Sequence, residues 1–110
     1  MLKKIYRLSN PRLSNPKTIS SSFFTLKTAK NNLKFNRFAF IVTKKMDKRA
    51  TIRNLTRRKL RSSIEEIFDR IELGNDFVFY PKSKIIQTDR EGVLREVKKV
   101  FSNQKLLIND

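Results

Sequence analysis

The residues of this chain best placed to do chemistry are cations. From Lys44 to Arg61 the sequence KKMDKRATIRNLTRRKLR holds nine Lys or Arg residues (Lys44, Lys45, Lys48, Arg49, Arg53, Arg57, Arg58, Lys59 and Arg61) and one acid, Asp47. Such a density of donors suits recognition of phosphates, with Arg as a planar fork and Lys as a point charge. The second half of the run reads as the start of a helix that continues through SSIEEIFDRIEL. A helix N-terminus carries a positive partial charge and prefers Asp or Glu, each worth about 0.3–1 kcal/mol. Here Arg53, Arg57, Arg58 and Lys59 come first, and Glu65, Glu66 and Asp69 come later. The inversion makes sense where the cations face a polyanion that offsets its cost; the plainer alternative is a solvated charged face.

Composition narrows the chemistry further. The 110 residues fit one small domain, and a net charge of +16 points to nucleic acid or another anionic surface. The charge is uneven: residues 1–46 carry eleven Lys or Arg and no acid, whereas residues 47–110 carry fifteen against ten. With no Cys and no His, the chain has no thiolate metal site, no Ser-His triad and none of the commonest general base. No catalytic side chain and no protein-held metal are expected. No apolar run suits a membrane span or a signal peptide. The acid-free N-terminus has the composition of a transit peptide and equally of an RNA-binding arm. Continuation of the charge into the folded part favours the arm.

The elements that must position these cations follow from pattern. Residues 1–22 carry a tandem repeat, RLSNP-RLSNP (Arg7–Pro16), and a Ser20–Ser22 run. The residue before each Pro is steered away from the helical region, so a flexible basic arm is expected there. Strands are predicted at Phe23–Ala29, Arg37–Lys44 and Phe77–Tyr80. Helices are predicted at about Thr51–Ile71, ended by Gly74 and Asn75, and at Asp89–Ser102. Residues 103–110 are expected to fray. The long helix places Ile52, Thr56, Leu60, Ser63, Ile64, Ile67, Phe68 and Ile71 on one side and Asn54, Arg57, Arg58 and Arg61 on another. Leu55 falls away from the apolar stripe and is expected to be exposed. The order β-β-α-β-α gives an α/β fold: a two-layer sandwich of a small sheet with both helices on one face. The other sheet face has no obvious cover and could receive an extended strand of nucleic acid.

The ordered residues resemble the protein subunit of bacterial ribonuclease P. The resemblance rests on FAFIVTKK (Phe38–Lys45), the linker MDKR, ATIRNLTRRKLR (Ala50–Arg61), NDFVFYPKSK (Asn75–Lys84) and REGVLREVKKVF (Arg90–Phe101), with a fainter match at LKKIYRL. It covers residues 23–102, taken as the RNA-binding domain. Two departures stand out. Leu55 occupies the third position of the family's Arg-Asn-Arg signature, and the family's N-terminal helix is replaced by the RLSNP repeat.

The resemblance implies a mixed sheet with a left-handed βαβ crossover. It also implies a function: assisting a catalytic RNA in removing the 5′ leader from precursor tRNA. Its partners would be that RNA and precursor tRNA, with no membrane and no protein partner required, in the cytoplasm. Magnesium would be held through the RNA and no cofactor by the protein. Arg49, Arg53, Asn54, Arg57, Arg58, Lys59 and Arg61 would bind the catalytic RNA. Thr43, Lys44, Lys45, Lys82 and Lys84 would border the leader. Plainer roles stand beside these, such as a helix-start hydrogen bond for Asn54 and edge protection for Lys82 and Lys84. Of Phe23, Phe24, Phe38, Phe40, Phe77, Phe79 and Tyr80, most must be core, with one or two left to stack on leader bases. Composition alone does not separate this function from that of a ribosomal-type or chaperone RNA-binding protein.

Overall fold

Alternation of large apolar and smaller polar residues builds the sheet. In FTLKTAK, Phe24, Leu26 and Thr28 are buried while Thr25, Lys27 and Ala29 are half-buried on the other side, as expected of a strand with one face on a core. The computed structural model describes residues 2–108. Among them lie strands β1 (Lys17–Ser20), β2 (Phe24–Lys30), β3 (Arg37–Phe40) and β4 (Asn75–Pro81), and helices α1 (Ala50–Ile67) and α2 (Arg90–Asn103). Single 3₁₀ turns occupy Lys4–Tyr6, Phe68–Arg70 and Ser83–Gln87. The sheet order is β1-β2-β4-β3. β2 pairs antiparallel with both neighbours, and β3 pairs parallel with β4. α1 is therefore the crossover that joins the parallel pair. No helix among the described residues is long and apolar enough to cross a membrane.

One sheet face presents Phe24, Leu26, Phe38, Phe77 and Phe79 to Leu60, Ile64 and Ile67 of α1 and to Val93, Val97 and Phe101 of α2, all at most 2% exposed. Each such side chain contributes about 1.5–3 kcal/mol by leaving water. The buried positions of α1 are Thr56, Leu60, Ser63, Ile64 and Ile67, a stripe at helical spacing. Its two polar members are satisfied locally: Thr56 Oγ1 donates to the Ile52 carbonyl at 2.9 Å and Ser63 Oγ to that of Lys59 at 3.0 Å. α2 starts on Asp89, whose side chain accepts the Gly92 N–H at 2.8 Å, an ordinary N-cap. α1 has no such cap and no acid in its first turn: Arg49 stands at its N-cap with no capping side-chain bond.

Element edges differ from the sequence expectation for local reasons. β3 stops at Phe40, although the Ile41 N–H still donates to the Phe79 carbonyl at 2.8 Å, and α1 gives way to the 3₁₀ turn at Phe68. The sheet has four strands, not three. β1, inside the segment expected as a flexible arm, pairs Lys17–Ser20 with Thr25–Thr28, and Leu2 is 4% exposed in the main core. The segment expected to fray is partly tied: Leu107 bridges Ile71, and the Glu72 N–H donates to the Leu106 carbonyl at 2.8 Å. Residues 109 and 110 lie outside the described residues.

The face expected to be bare is also covered. Arg7 forms a parallel bridge to Phe38, and the registers then align Arg7, Phe38, Phe77, Thr28 and Lys17 in one row across the sheet. Four strand spacings of about 4.8 Å separate the ends of that row by roughly 19 Å. Arg7 and β1 run in the same direction, so residues 8–16 must carry the chain back along the sheet as well as across it. They reach about 30 Å when extended. The short way runs over the face the helices leave free. Val78, central on that face, has no exposed surface, and neighbouring Ala39 is 8% exposed. In the repeat, Leu8, Pro11, Leu13 and Pro16 are half-buried, while Ser9, Asn10, Arg12, Ser14 and Asn15 are exposed. The repeat is a strap with an apolar underside.

Candidate nucleic-acid interface

Parallel strands end at the same edge of a sheet, and that geometry gathers the cations. Phe40 of β3 stands opposite Phe79 of β4. Thr43–Lys45 and Lys82–Lys84, three residues further on, therefore leave the sheet at one end. The chain after β3 turns there into α1, whose first turn keeps its N–H groups unclaimed by a side-chain cap. Such a terminus carries positive partial charge.

The structure distinguishes among the sequence-predicted residues. Thr43, Lys44, Lys45, Arg49, Asn54 and Arg58 are exposed. Arg49 is paired with Asp47, Nη2 to Oδ2 at 2.8 Å; this holds the Asp47 carboxyl down at about 2. Nη1 of Arg53 donates to the carbonyls of Asp47 (3.0 Å) and Lys48 (2.8 Å). Arg57 donates to Asn54 Oδ1 at 2.9 Å and, through Nη2, to the Val42 carbonyl at 3.3 Å, which ties α1 to the end of β3. Lys59 Nζ donates to the carbonyls of Ile85 (3.3 Å) and Ile86 (3.1 Å). Lys82 Nζ donates to Ser20 Oγ (2.9 Å) and the Ser21 carbonyl (2.6 Å). Lys84 Nζ lies 5.0 Å from the centre of the Phe23 ring. These last two lysines thus sit over the β1–β2 turn.

Two cations that sequence reasoning missed join the surface. Arg7 lines, with Arg57 and Arg61, a hollow of about 230 Å³ floored by Leu2, Leu8 and Phe38. Arg90 donates to the Ser62 hydroxyl and, with Leu55, Arg58, Lys59 and Arg61, borders a groove of about 480 Å³ beside α1. The fainter N-terminal match, LKKIYRL, was the one signal for Arg7; nothing local marked Arg90. Phe24, Phe38, Phe77 and Phe79 are core, and Phe23 and Phe40 pack against it. Only Tyr80 of the seven aromatics singled out belongs to the strap-covered face, where Lys27 Nζ stands 5.4 Å from its ring centre.

The candidate interface is thus a basic end of the molecule, formed by the ends of β3 and β4, the linker and the first three turns of α1. Comparison with known proteins identifies the family. The ribonuclease P family model matches residues 3–105. The ribonuclease P protein component of Thermoanaerobacter sp. (strain X514) is 31% identical over 104 residues, covering 94% of this chain and 83% of the relative. That of Synechocystis sp. is 32% identical over 72 residues, covering 66% of this chain and 58% of the relative. The fold matches a mutant Staphylococcus aureus RNase P protein with a TM-score of 0.83 at 18% identity, over 94% of this chain and 91% of the other. It matches the Thermotoga maritima RNase P protein with a TM-score of 0.74 at 22% identity, over 81% and 84%. By motif order, sequence and fold together, this chain belongs to the ribonuclease P protein family.

Proposed function

We propose that this chain is the RNA-binding subunit of a cytoplasmic ribonuclease P. In this reading it assists a catalytic RNA in cutting the 5′ leader from precursor tRNA and carries no catalytic side chain itself. The observation that carries the proposal is the placing of Lys44, Lys45 and Arg49 at the uncapped start of α1, with Arg58 and Arg61 two to three turns further along the same helix. Two phosphate-rich strands brought together repel each other, and fixed cations between them lower that cost. Magnesium, held by the RNA, would supply the activation of water and the stabilisation of the leaving oxygen. The side chains of this chain have the remaining work of binding and orienting.

The test is to mix the protein with a bacterial catalytic RNA and follow precursor-tRNA cleavage at low magnesium. Stimulated cleavage is the expected result. Binding without stimulation would overturn the processing role and leave a general RNA-binding protein.

A further inference from the structure

The one acid before Glu65 stands in the middle of the basic linker. Judged by charge alone, Asp47 should oppose RNA. Its geometry says otherwise. The Asp47 side chain is 12% exposed although the linker is at the surface, while its partner Arg49 is 67% exposed. The carboxylate accepts three bonds from Arg49: the backbone N–H at 2.8 Å, Nε at 3.0 Å and Nη2 at 2.8 Å. From the other side, Arg53 clamps the Asp47 and Lys48 carbonyls. The N–H groups of Met46 and Asp47 return to the Thr43 carbonyl at 3.1 and 3.4 Å. The linker is therefore fixed at four successive residues, and Lys44, Lys45, Lys48 and Arg49 are splayed outward around an open bowl of about 770 Å³ floored by Met46 and Asp47.

Four cations on a loose linker would repel one another and would have to be ordered at the moment of binding, a cost in backbone entropy. A carboxylate that organises them removes most of that cost and neutralises one charge. We propose that Asp47 is a positioning residue for RNA binding: it holds the linker as a preformed cradle in which Lys44, Lys45, Lys48 and Arg49 meet an RNA phosphodiester. The proposal rests on the RNA-binding reading above, and its sign is opposite to that of simple electrostatics.

The experiment measures binding of the full chain to a bacterial catalytic RNA across roughly 50 to 200 mM salt, where counterion release dominates. Wild type, Asp47→Ala and Asp47→Asn are compared, with thermal midpoints measured alongside. Asp47→Ala raises the net charge by one, yet it should bind about tenfold more weakly, with a salt slope shallower by about one unit as a phosphate contact is lost. Asp47→Asn keeps an oxygen for the Arg49 N–H and should fall between. Equal or tighter binding by both variants, with a steeper slope, would make Asp47 a mere brake and overturn the proposal. Should Asp47→Ala fail to fold, the near-isosteric Asp47→Asn decides by the same sign. Absence of salt-dependent binding by the wild type would sink the functional reading, and this proposal with it.

Discussion

Leu55 shows how far a single position could be read. Its place on the helix, opposite the stripe of Leu60, Ile64 and Ile67, predicted exposure, and it is 46% exposed. Period alone decided this, because α1 keeps a regular 3.6-residue turn over its whole length. Leu55 stands where the family signature has a cation, beside Arg58 and Arg61. Leu55→Arg should then strengthen binding to the catalytic RNA several-fold and steepen the salt slope by up to about one unit, with an unchanged thermal midpoint. An unfolded variant would place Leu55 in the core; a folded one that binds no better would remove this turn from the interface. Asp47 was not legible in the same way. Nothing in KKMDKR states that its acid folds back on the second residue after it, since that contact depends on a backbone the run does not specify. It has its own signature: the carboxyl is lowered from 3.8 to about 2, first by the Arg49 side chain and then by the Arg49 backbone N–H. A folded-state value below the unfolded one means that this contribution to stability is present above about 3.8 and is lost as pH falls through about 2. Carboxyl NMR of the free protein should show the low midpoint, and Arg49→Ala should move it back toward the ordinary range. A midpoint already ordinary in the wild type would mean that the pair does not form in solution.

At the scale of elements, hydrophobic period located the helices and the three stronger strands, and it failed where an element is held by others. β1 is KTIS, with one apolar residue directed to the core side opposite Leu26; a four-residue edge strand after a Pro carries almost no pattern of its own. The 3₁₀ turn Ser83–Gln87 is another such element. Its carbonyls at Ile85 and Ile86 are met by Lys59, a residue whose place in a basic run made it look like an RNA contact. Tertiary hydrogen bonding, invisible in a linear charge count, gives it a structural partner as well. The two uses of charge on α1 can be separated by mutation. Lys59→Met keeps most of the stem and loses the donor. It should cost about 1 kcal/mol for a partly exposed charged bond, or roughly 4 °C in midpoint. Arg58→Ala, on the exposed side of the helix, should weaken RNA binding and leave the midpoint where it is. If both variants lose affinity equally with no change in midpoint, Lys59 swings out to the RNA and its contacts to the 3₁₀ turn are dispensable.

For the whole molecule, the N-terminal segment decides how the domain is bounded. Its composition, with eleven cations and no acid through residue 46, reads as an unfolded arm, because like charges oppose compaction. The fold overrules composition through connectivity: Leu2 is in the core, Arg7 bridges one edge of the sheet, and β1 forms the other. What lies between has to bridge them. Five-residue spacing is odd, so in a plain extended chain equivalent residues of the two repeats would point to opposite sides. Backbone breaks correct the phase. The Asn10 side chain accepts the Arg12 N–H at 3.1 Å around Pro11, and Asn15 takes a left-handed φ of 47° before Pro16, a conformation Asn tolerates better than most residues. Both repeats can then turn Leu and Pro down and Ser, Asn and Arg up, as their burial records. The strap should therefore contribute to stability although it lacks regular structure. Leu13 is half-buried, so Leu13→Ser should cost about 1 kcal/mol, roughly half the value of a fully buried Leu. The same substitution should speed exchange of the Val78 amide, whose strand lies beneath, more than that of amides in α2. Replacing the exposed Ser14 by Ala should do neither. A free arm makes the opposite forecast: Leu13→Ser would leave the denaturant midpoint unchanged, and proteases would remove residues 1–16 without loosening the sheet.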